Sequence, residues 1–383
     1  MASLTGLRGV AALLIVGTHA AYGTGKLSNG YLGALYARLE VGVPIFFVLS
    51  GFLLFRPWVL AAADGTSPPS LRRFAFRRVR RIAPAYLVVV LMAYALYEFR
   101  DAGPNPGHSW AGLVEHLTLT QIYQPVYFYV MHQGLTQTWS LAVEFAFYAV
   151  LPLLAALLLT VLCKGEWRPG TLITGLGFLG AITPAWLWLQ HATDWLPSSA
   201  GMWLPAHLVY FVGGMVLAVL QVLGMRVKLI VVGPIGVLGF LAVSTSIAGD
   251  VATGAVTLWQ TLVKVVLYAV IACAAVAALA LCDRNGFQRL LTARPVVWLG
   301  EISYEVFLLH VIMMEIVMAS VLHCPAFSGS WAMVFAVTLT MTIPPAWSLY
   351  RLTRPRWTTL SPPKGERRDH SHRRPIQASD SRS

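Results

Sequence analysis

About ten apolar runs, each of roughly 20 residues and so long enough to cross a hydrocarbon core, constrain this chain more than any other feature of its sequence. Inside lipid no water satisfies backbone N–H and C=O groups, so such runs fold as helices whose hydrogen bonds are internal. The expected spans are 4–22, 41–60, 82–99, 137–162, 171–190, 203–223, 228–247, 257–282, 296–320 and 331–350. Composition agrees, with 57% of residues hydrophobic and 11% charged. The predicted fold class is all-α, a polytopic membrane helix bundle. Of the 383 residues, 1–350 make one membrane domain with no length left for a separate soluble one, and 351–383 make a basic tail whose Ser, Arg and Pro content predicts disorder.

Basic residues accumulate in short cytoplasmic loops, which sets an expected orientation. With the amino terminus inside, the inner segments hold Arg72, Arg73, Arg77, Arg78, Arg80, Arg81, Lys164, Arg168, Arg226, Lys228, Arg284, Arg289, Arg294 and the basic tail, against Lys26, Arg38 and Arg100 outside. Both termini are then cytoplasmic. The net charge of +12 reads as topology plus contact with anionic lipid, and no nucleic-acid partner is expected. The first segment reads as a retained helix and not a cleaved signal, because its basic residue lies within the apolar run. Cys163, Cys273, Cys282 and Cys324 lack ligand spacing, so neither a disulfide framework nor a metal site is expected, and no internal repeat is visible.

Polar side chains at membrane depth are costly and point to function. Arg8 and His19 both lie in the first span, eleven residues apart, which places them on one helix face about 16 Å apart along the axis. That pairing suits a charged ligand gripped at the surface, with its reactive end delivered to the imidazole. The stretch Phe76-Arg77-Arg78-Val79-Arg80-Arg81-Ile82-Ala83-Pro84-Ala85-Tyr86 opens the third span. Read as helix, it sets Arg77 with Arg80 or Arg81, and Arg78 with Arg81, on shared faces suited to a phosphate cluster or to lipid headgroups. Arg56 points at the same surface. In the fourth span Ser140, Glu144 and Tyr148 recur every four residues, so hydroxyl, carboxylate and phenol form one stripe, and a Glu144 carboxylate meeting His19 would orient a general base. The ninth span carries Glu301, Ser303, Tyr304, Glu305, His310 and Glu315, with Ser303 and His310 on one face.

Lys264 is expected to pair with a carboxylate or to snorkel, and His116, His132, His191 and His323 to be ordinary solvated side chains. The loop 100–137 carries Trp110, Tyr123, Tyr127, Tyr129 and His132, a mixture that suits an interfacial aromatic belt or stacking on sugars. Two functions fit these residues: group transfer from a charged donor, or a proton-coupled transporter or flippase of a lipid-linked saccharide, with Arg8, His19, Glu144 and Glu305 forming its pathway.

Five blocks stand in an order that resembles the acyltransferase-3 family: Leu4-Thr5-Gly6-Leu7-Arg8-Gly9-Val10-Ala11-Ala12 through His19, Phe46-Phe47-Val48-Leu49-Ser50-Gly51-Phe52-Leu53, Arg78-Val79-Arg80-Arg81-Ile82-Ala83-Pro84-Ala85-Tyr86, Trp139-Ser140-Leu141-Ala142-Val143-Glu144, and Ser303-Tyr304 through His310. The resemblance covers about Leu4 to Tyr350. It implies a bacterial multi-pass enzyme of the plasma (inner) membrane that moves an acyl group, acetyl in the first instance, from cytoplasmic acyl-CoA to a hydroxyl of a cell-envelope carbohydrate, a glycolipid or a small molecule. It further implies His19 as the catalytic histidine, Arg8 as the required basic residue, Arg78 and Arg81 as donor-binding, and Glu144 as part of the site. Arg77 is added as a helper for the phosphates, and Ser140, Tyr304 and His310 as further candidates. Thr5 stands where the family usually carries aspartate, so this chain orients Arg8 without that carboxylate.

Overall fold

The computed structural model describes residues 2–28, 30–100, 103–125, 131–250 and 256–354, and the regular structure there is helical, apart from a β-bridge position at Asp250. The first helix, α1, runs Ala2–Gly23. Gly25, at a φ of +68°, lets the chain turn back. Helix α2 (Gly30–Arg38) then passes through a tight turn, Leu39–Val41, into α3 (Gly42–Ala63). The next helix, α4, runs Leu71–Glu98, so the arginine-rich stretch is the first part of a spanning helix and not a loop before it. A short outer helix, α5 (Trp110–Thr118), is capped by the Ser109 hydroxyl, which accepts from the Gly112 N–H at 3.0 Å.

A 3₁₀ turn at Gln133–Thr138 leads into α6 (Trp139–Ala155), which continues as a π-helical turn to Leu162. Next come α7 (Pro169–Ala192), α8 (Leu204–Val222) and α9 (Leu229–Val243). Helix α10 (Leu258–Ala280) starts at a capping box in which Thr257 and Gln260 satisfy each other's backbone N–H groups. Two short helices, α11 (Gly286–Leu291) and α12 (Arg294–Glu301), precede α13 (Ser303–Ile316), and α14 (Trp331–Thr353) is the last.

Nine helices among the described residues are long and apolar enough to span a membrane. The expected span 228–247 is the exception, because α9 has 15 residues and a helix of that length covers only about 22 Å. The expected single span 296–320 is two helices, broken at Ile302 and tied there by the Ser303 hydroxyl donating to the Gly300 carbonyl at 2.9 Å. The final helix continues past Tyr350 to Thr353, and Arg354 docks on it, its guanidinium 4.3 Å from the Tyr350 ring centroid. The rest of the expected disordered tail, from 355, lies outside the described residues.

Without a hydrophobic drive between helices in lipid, close backbone approach supplies the packing. Helices α3 and α8 touch through Gly51, where a Cβ would collide with the Phe211 carbonyl, and Gly214, where one would collide with the Val48 carbonyl. Helix α1 packs as closely on α12 through Gly9 and Gly300. Helix α3 runs back alongside α1, with Gly42 against Ala11 and Ile15, so the bundle has an Arg8 end and a His19 end. At the first, Arg56 donates to Gln221 at 2.6 Å, and Gln221 to the Ala280 carbonyl at 3.1 Å, which gathers the last turns of α8 and α10. At the second, Arg38 is buried and donates to the carbonyls of Val243 (2.8 Å) and Gly249 (2.7 Å), so this expected loop residue closes the carboxyl end of α9.

Candidate active site

A cavity of about 830 Å³, counted with its open mouth, lies at the Arg8 end between α1, α3, α4, α6 and α13. Arg78 and Arg81 reach its wall together because residues three apart on a helix share a face. Arg77, one residue earlier, is turned about 100° away and is exposed off the wall, as is Arg80. Helical phase thus leaves Arg77 off the wall that Arg78 and Arg81 share. Arg56 is engaged by Gln221 and is likewise off the wall.

The wall carries surplus positive charge. Arg78 lies between the Phe74 and Tyr148 rings, 5.9 Å from each centroid, and its Nε is buried with no hydrogen-bond partner among the described residues. Glu144 accepts from Ser50 and from Tyr148. The charged neighbours of Arg8 include Arg81, Glu144 and Arg354, and the buried Glu305 faces Arg354 at 4.0 Å as well as Arg8 and Arg81. Four guanidiniums, on Arg8, Arg78, Arg81 and Arg354, therefore meet two carboxylates, Glu144 and Glu305. These carboxylates also supply acidic neighbours for Arg8. A buried guanidinium N–H without an acceptor is costly, and this donor set suits a phosphate-bearing ligand.

His19 stands nearer the opposite end and is not one of the residues lining this cavity. Its Nδ1 is 3.0 Å from the Ile15 carbonyl and 3.1 Å from Nε2 of His310, whose own Nδ1 is 2.7 Å from the Phe307 carbonyl. The two carbonyls settle the tautomers. His310 keeps its proton on Nδ1, so its Nε2 accepts from Nδ1–H of His19. The Nε2 of His19 then bears a lone pair and has no partner among the described residues. The expected pairing of His19 with Glu144 is not formed: Glu144 lines the arginine cavity, and the side chain that His19 meets is His310. Phe307 links the two regions, since it lines the cavity and its ring centroid is 5.9 Å from that of His310.

Of the other expected residues, Ser140 and Tyr304 are on the cavity wall. Ser140 donates to the Gln137 carbonyl at 3.3 Å, and Tyr304 donates to the Ile82 carbonyl at 3.1 Å, which ties α13 to α4. Lys264 pairs with Glu40 at 2.6 Å. His116 and His132 are not solvated as expected. Both are fully buried with His108, Tyr94 and Tyr97 in an outer cluster where His108 and His132 approach to 3.2 Å. Burial, with His116 and His108 beside it, holds His132 down at about 3. Trp110 is exposed, while Tyr127 and Tyr129 lie outside the described residues. Sequence reasoning passed over His207, at the start of α8, although a titratable side chain inside an apolar run is itself the signal.

Fold and site together define a polytopic membrane enzyme with its polar groups gathered inside the helix bundle. The acyltransferase domain of the acyltransferase-3 family matches residues 1–351. The acyltransferase MdmB of Streptomyces mycarofaciens is 30% identical over 334 residues, which cover 80% of this chain and 77% of that protein. The peptidoglycan O-acetyltransferase OatA of Listeria monocytogenes is 28% identical over 51% of this chain, and the putative O-acetyltransferase SAS0844 of Staphylococcus aureus is 29% identical over 47%. These two matches span only 30% and 28% of those relatives. No solved structure matches the chain. The chain belongs to the acyltransferase-3 family and is a membrane-bound O-acyltransferase. Membership decides for group transfer over the transporter reading.

Proposed function

We propose that the Arg8 end faces the cytoplasm in the plasma membrane and binds acyl-CoA, acetyl-CoA in the first instance, and that His19 serves transfer of the acyl group to a hydroxyl of an envelope carbohydrate, a glycolipid or a small molecule. The observation that carries this reading is the convergence of Arg8, Arg78 and Arg81 on one cavity, with the Arg78 Nε buried and unpaired. Phosphates supply the acceptors that these guanidiniums lack. Glu144, held by Ser50 and Tyr148, positions the arginines and prevents their mutual repulsion from splaying the wall.

In the reaction, the acceptor hydroxyl gives its proton to Nε2 of His19 as its oxygen bonds to the thioester carbon. The carbon–sulfur bond then breaks, and the thiolate takes that proton from the imidazolium, leaving ester and free thiol. His310, accepting from Nδ1–H of His19, holds the ring and spreads the transient charge. In the variant route His19 itself takes the acyl group and hands it on. Trapping an acylated peptide containing His19 after exposure to acetyl-CoA alone selects that variant, and its absence under proven donor binding selects direct transfer.

Thiol release from acetyl-CoA by the purified full chain tests the reading. His19→Ala is expected to lower turnover about 10³-fold, the scale of a lost general base, with donor binding retained. Unchanged thiol release in that variant overturns the role of His19. Absent thiol release in the unsubstituted chain, with donor and acceptors supplied, overturns the donor assignment.

A further inference from the structure

Cations within this bundle either pair inside it or face a cavity. Arg56 is engaged by Gln221, and Arg38 by the carbonyls that close α9. A second cavity, about 1380 Å³ with its mouth, opens at the His19 end between α3, α7, α8 and α10, and its Lys264 pairs with Glu40 at 2.6 Å. Arg78 and Arg81 face the arginine cavity. Three arginines of α4 do none of this. Arg73, Arg77 and Arg80 are exposed, and no carboxylate or hydrogen-bond acceptor meets them among the described residues.

The length and phase of α4 say what they meet instead. Its 28 residues rise about 42 Å against about 30 Å of hydrocarbon, so roughly its first eight residues stand at headgroup level when the other end reaches the opposite surface. Residues four and seven apart share a helix face, and by that phase Arg73, Arg77 and Arg80 fall on one arc of about 80° with Leu87 and Leu91. Both leucines are exposed, as is Val88 beside them, so this is the arc that α4 turns to lipid. Phe76, also exposed, lies under Arg80, whose guanidinium is 5.6 Å from the ring centroid. The cavity wall is a different face of the helix, where Phe74, Ile82 and Ala85 are buried and Arg78 stands over Tyr148.

We infer that this arc is a binding site for one anionic diacyl phospholipid, its phosphate held by Arg73, Arg77 and Arg80 and an acyl chain laid along Leu87 and Leu91. Overall positive charge draws such lipids to the whole surface, and the arc adds a register for one of them. Three like charges within about 11 Å of helix axis repel one another; a zwitterionic headgroup brings a further cation to them, whereas a headgroup of net negative charge relieves the repulsion. Arg77 is also a charged neighbour of Arg78 on the adjoining face. A phosphate on Arg77 therefore steadies the same turns that carry Arg78 and Arg81, and the bilayer orders the cavity wall from behind. The site is independent of the donor reading, since its ligand comes from the bilayer and not from solution.

The test places the purified full chain in phosphatidylcholine nanodiscs holding a trace of phosphatidylglycerol with a diazirine in its acyl chain, and uses phosphatidylcholine with the same diazirine as control. Light is expected to fix the phosphatidylglycerol to peptides that hold Leu87 or Leu91. The triple variant Arg73→Gln, Arg77→Gln, Arg80→Gln should lose that labelling by about fivefold or more, the factor for even one basic residue at an anionic surface. Arg72→Gln, turned about 100° from Arg73, should change it less than twofold. Amide exchange across 72–80 should slow when phosphatidylglycerol replaces part of the phosphatidylcholine, in the unsubstituted chain and not in the triple variant. All three arginines are exposed, so these variants leave the packing of the bundle intact, and the single variant Arg77→Gln reads the site should the triple one misfold. Equal labelling by both lipids, labelling unmoved in the triple variant, or labelling abolished by inorganic phosphate, which assigns the arc to a soluble anion, overturns the inference. Exchange that ignores phosphatidylglycerol overturns the ordering of the wall. Absent acetyl-CoA binding in the same discs overturns the donor reading and leaves the lipid site standing.

Discussion

At the Arg8 end the guanidiniums of Arg8, Arg78, Arg81 and Arg354 face two carboxylates, and a buried Arg78 N–H has no acceptor among the described residues. At the His19 end Lys264 is engaged by Glu40, and His207 Nε2 is buried without a partner among the described residues. The cavities are cut from largely different helices and share Val43 and Phe47 on α3. Their contrast comes from a few side chains whose placement follows helical phase. The two ends of the bundle thus differ in electrostatics although only one layer of side chains separates their cavities.

The largest expected effect breaks the cationic side of that contrast. Removing one charge-assisted contact to a phosphate costs on the order of 1.5–3 kcal/mol, so Arg78→Ala or Arg81→Ala should each raise the acetyl-CoA KM roughly tenfold to a hundredfold, and the double variant more. Arg78→Lys should restore little, because an ammonium lacks the planar fork and the stacking on Phe74 and Tyr148. Titration calorimetry with acetyl-CoA at two salt concentrations checks this. An unchanged affinity in the double variant would remove the charge argument for the Arg8 end.

A smaller effect sharpens the other side. Guanidinium stays charged across the physiological range, whereas burial in the outer cluster favours the neutral forms of His116 and His132. His132, buried and next to His116 and His108, sits at about 3 when packed and near 6.5 when opened. Between those values the opened form binds a proton that the packed form does not. The contribution is therefore complete above about 6.5 and is lost as the pH falls toward 3, by up to about tenfold in the opening equilibrium for the first unit below 6.5. Hydrogen exchange at amides of 110–118 and 131–138 should quicken from pH 7.5 to 5.5 while acetyl-CoA affinity holds. His132→Gln should flatten that dependence, and an equal slope in the variant would assign it elsewhere.

The sequence showed the fold class and most of the spans, because lipid forces any long apolar run into a helix. It also showed that Arg78 and Arg81 share a face and that Arg8 and His19 stand at different depths, since both follow from 3.6 residues per turn. What it did not show depends on partners distant in the chain. Glu144 meets Ser50, 94 residues away, and His19 meets His310, 291 residues away, so no local spacing told which acid or imidazole served which base. His116 and His132 looked like loop residues because their burial comes from Tyr94 and Tyr97 on a neighbouring helix. The break at Ile302 carries no proline, and the short α9 has a run of apolar residues that reads longer than its helix.

The smallest expected effect probes the layer between the two cavities. Phe47 is almost fully buried, stacks on Phe211 with centroids 4.6 Å apart, and presents its ring to both cavities. Phe47→Leu keeps an apolar side chain there while removing part of the ring, which opens a gap that the surrounding helices close only in part. Water from the His19 end then reaches the thioester without an acceptor. Acceptor-independent thiol release is expected to rise about twofold to threefold, and the ratio of ester formed to thiol released to fall. Substitution of Leu53, which lines only the arginine cavity, should not change that ratio. If Phe47→Leu slows both reactions equally, the ring serves packing alone, and the division between the two ends must lie in Val43 or in the backbone of α3.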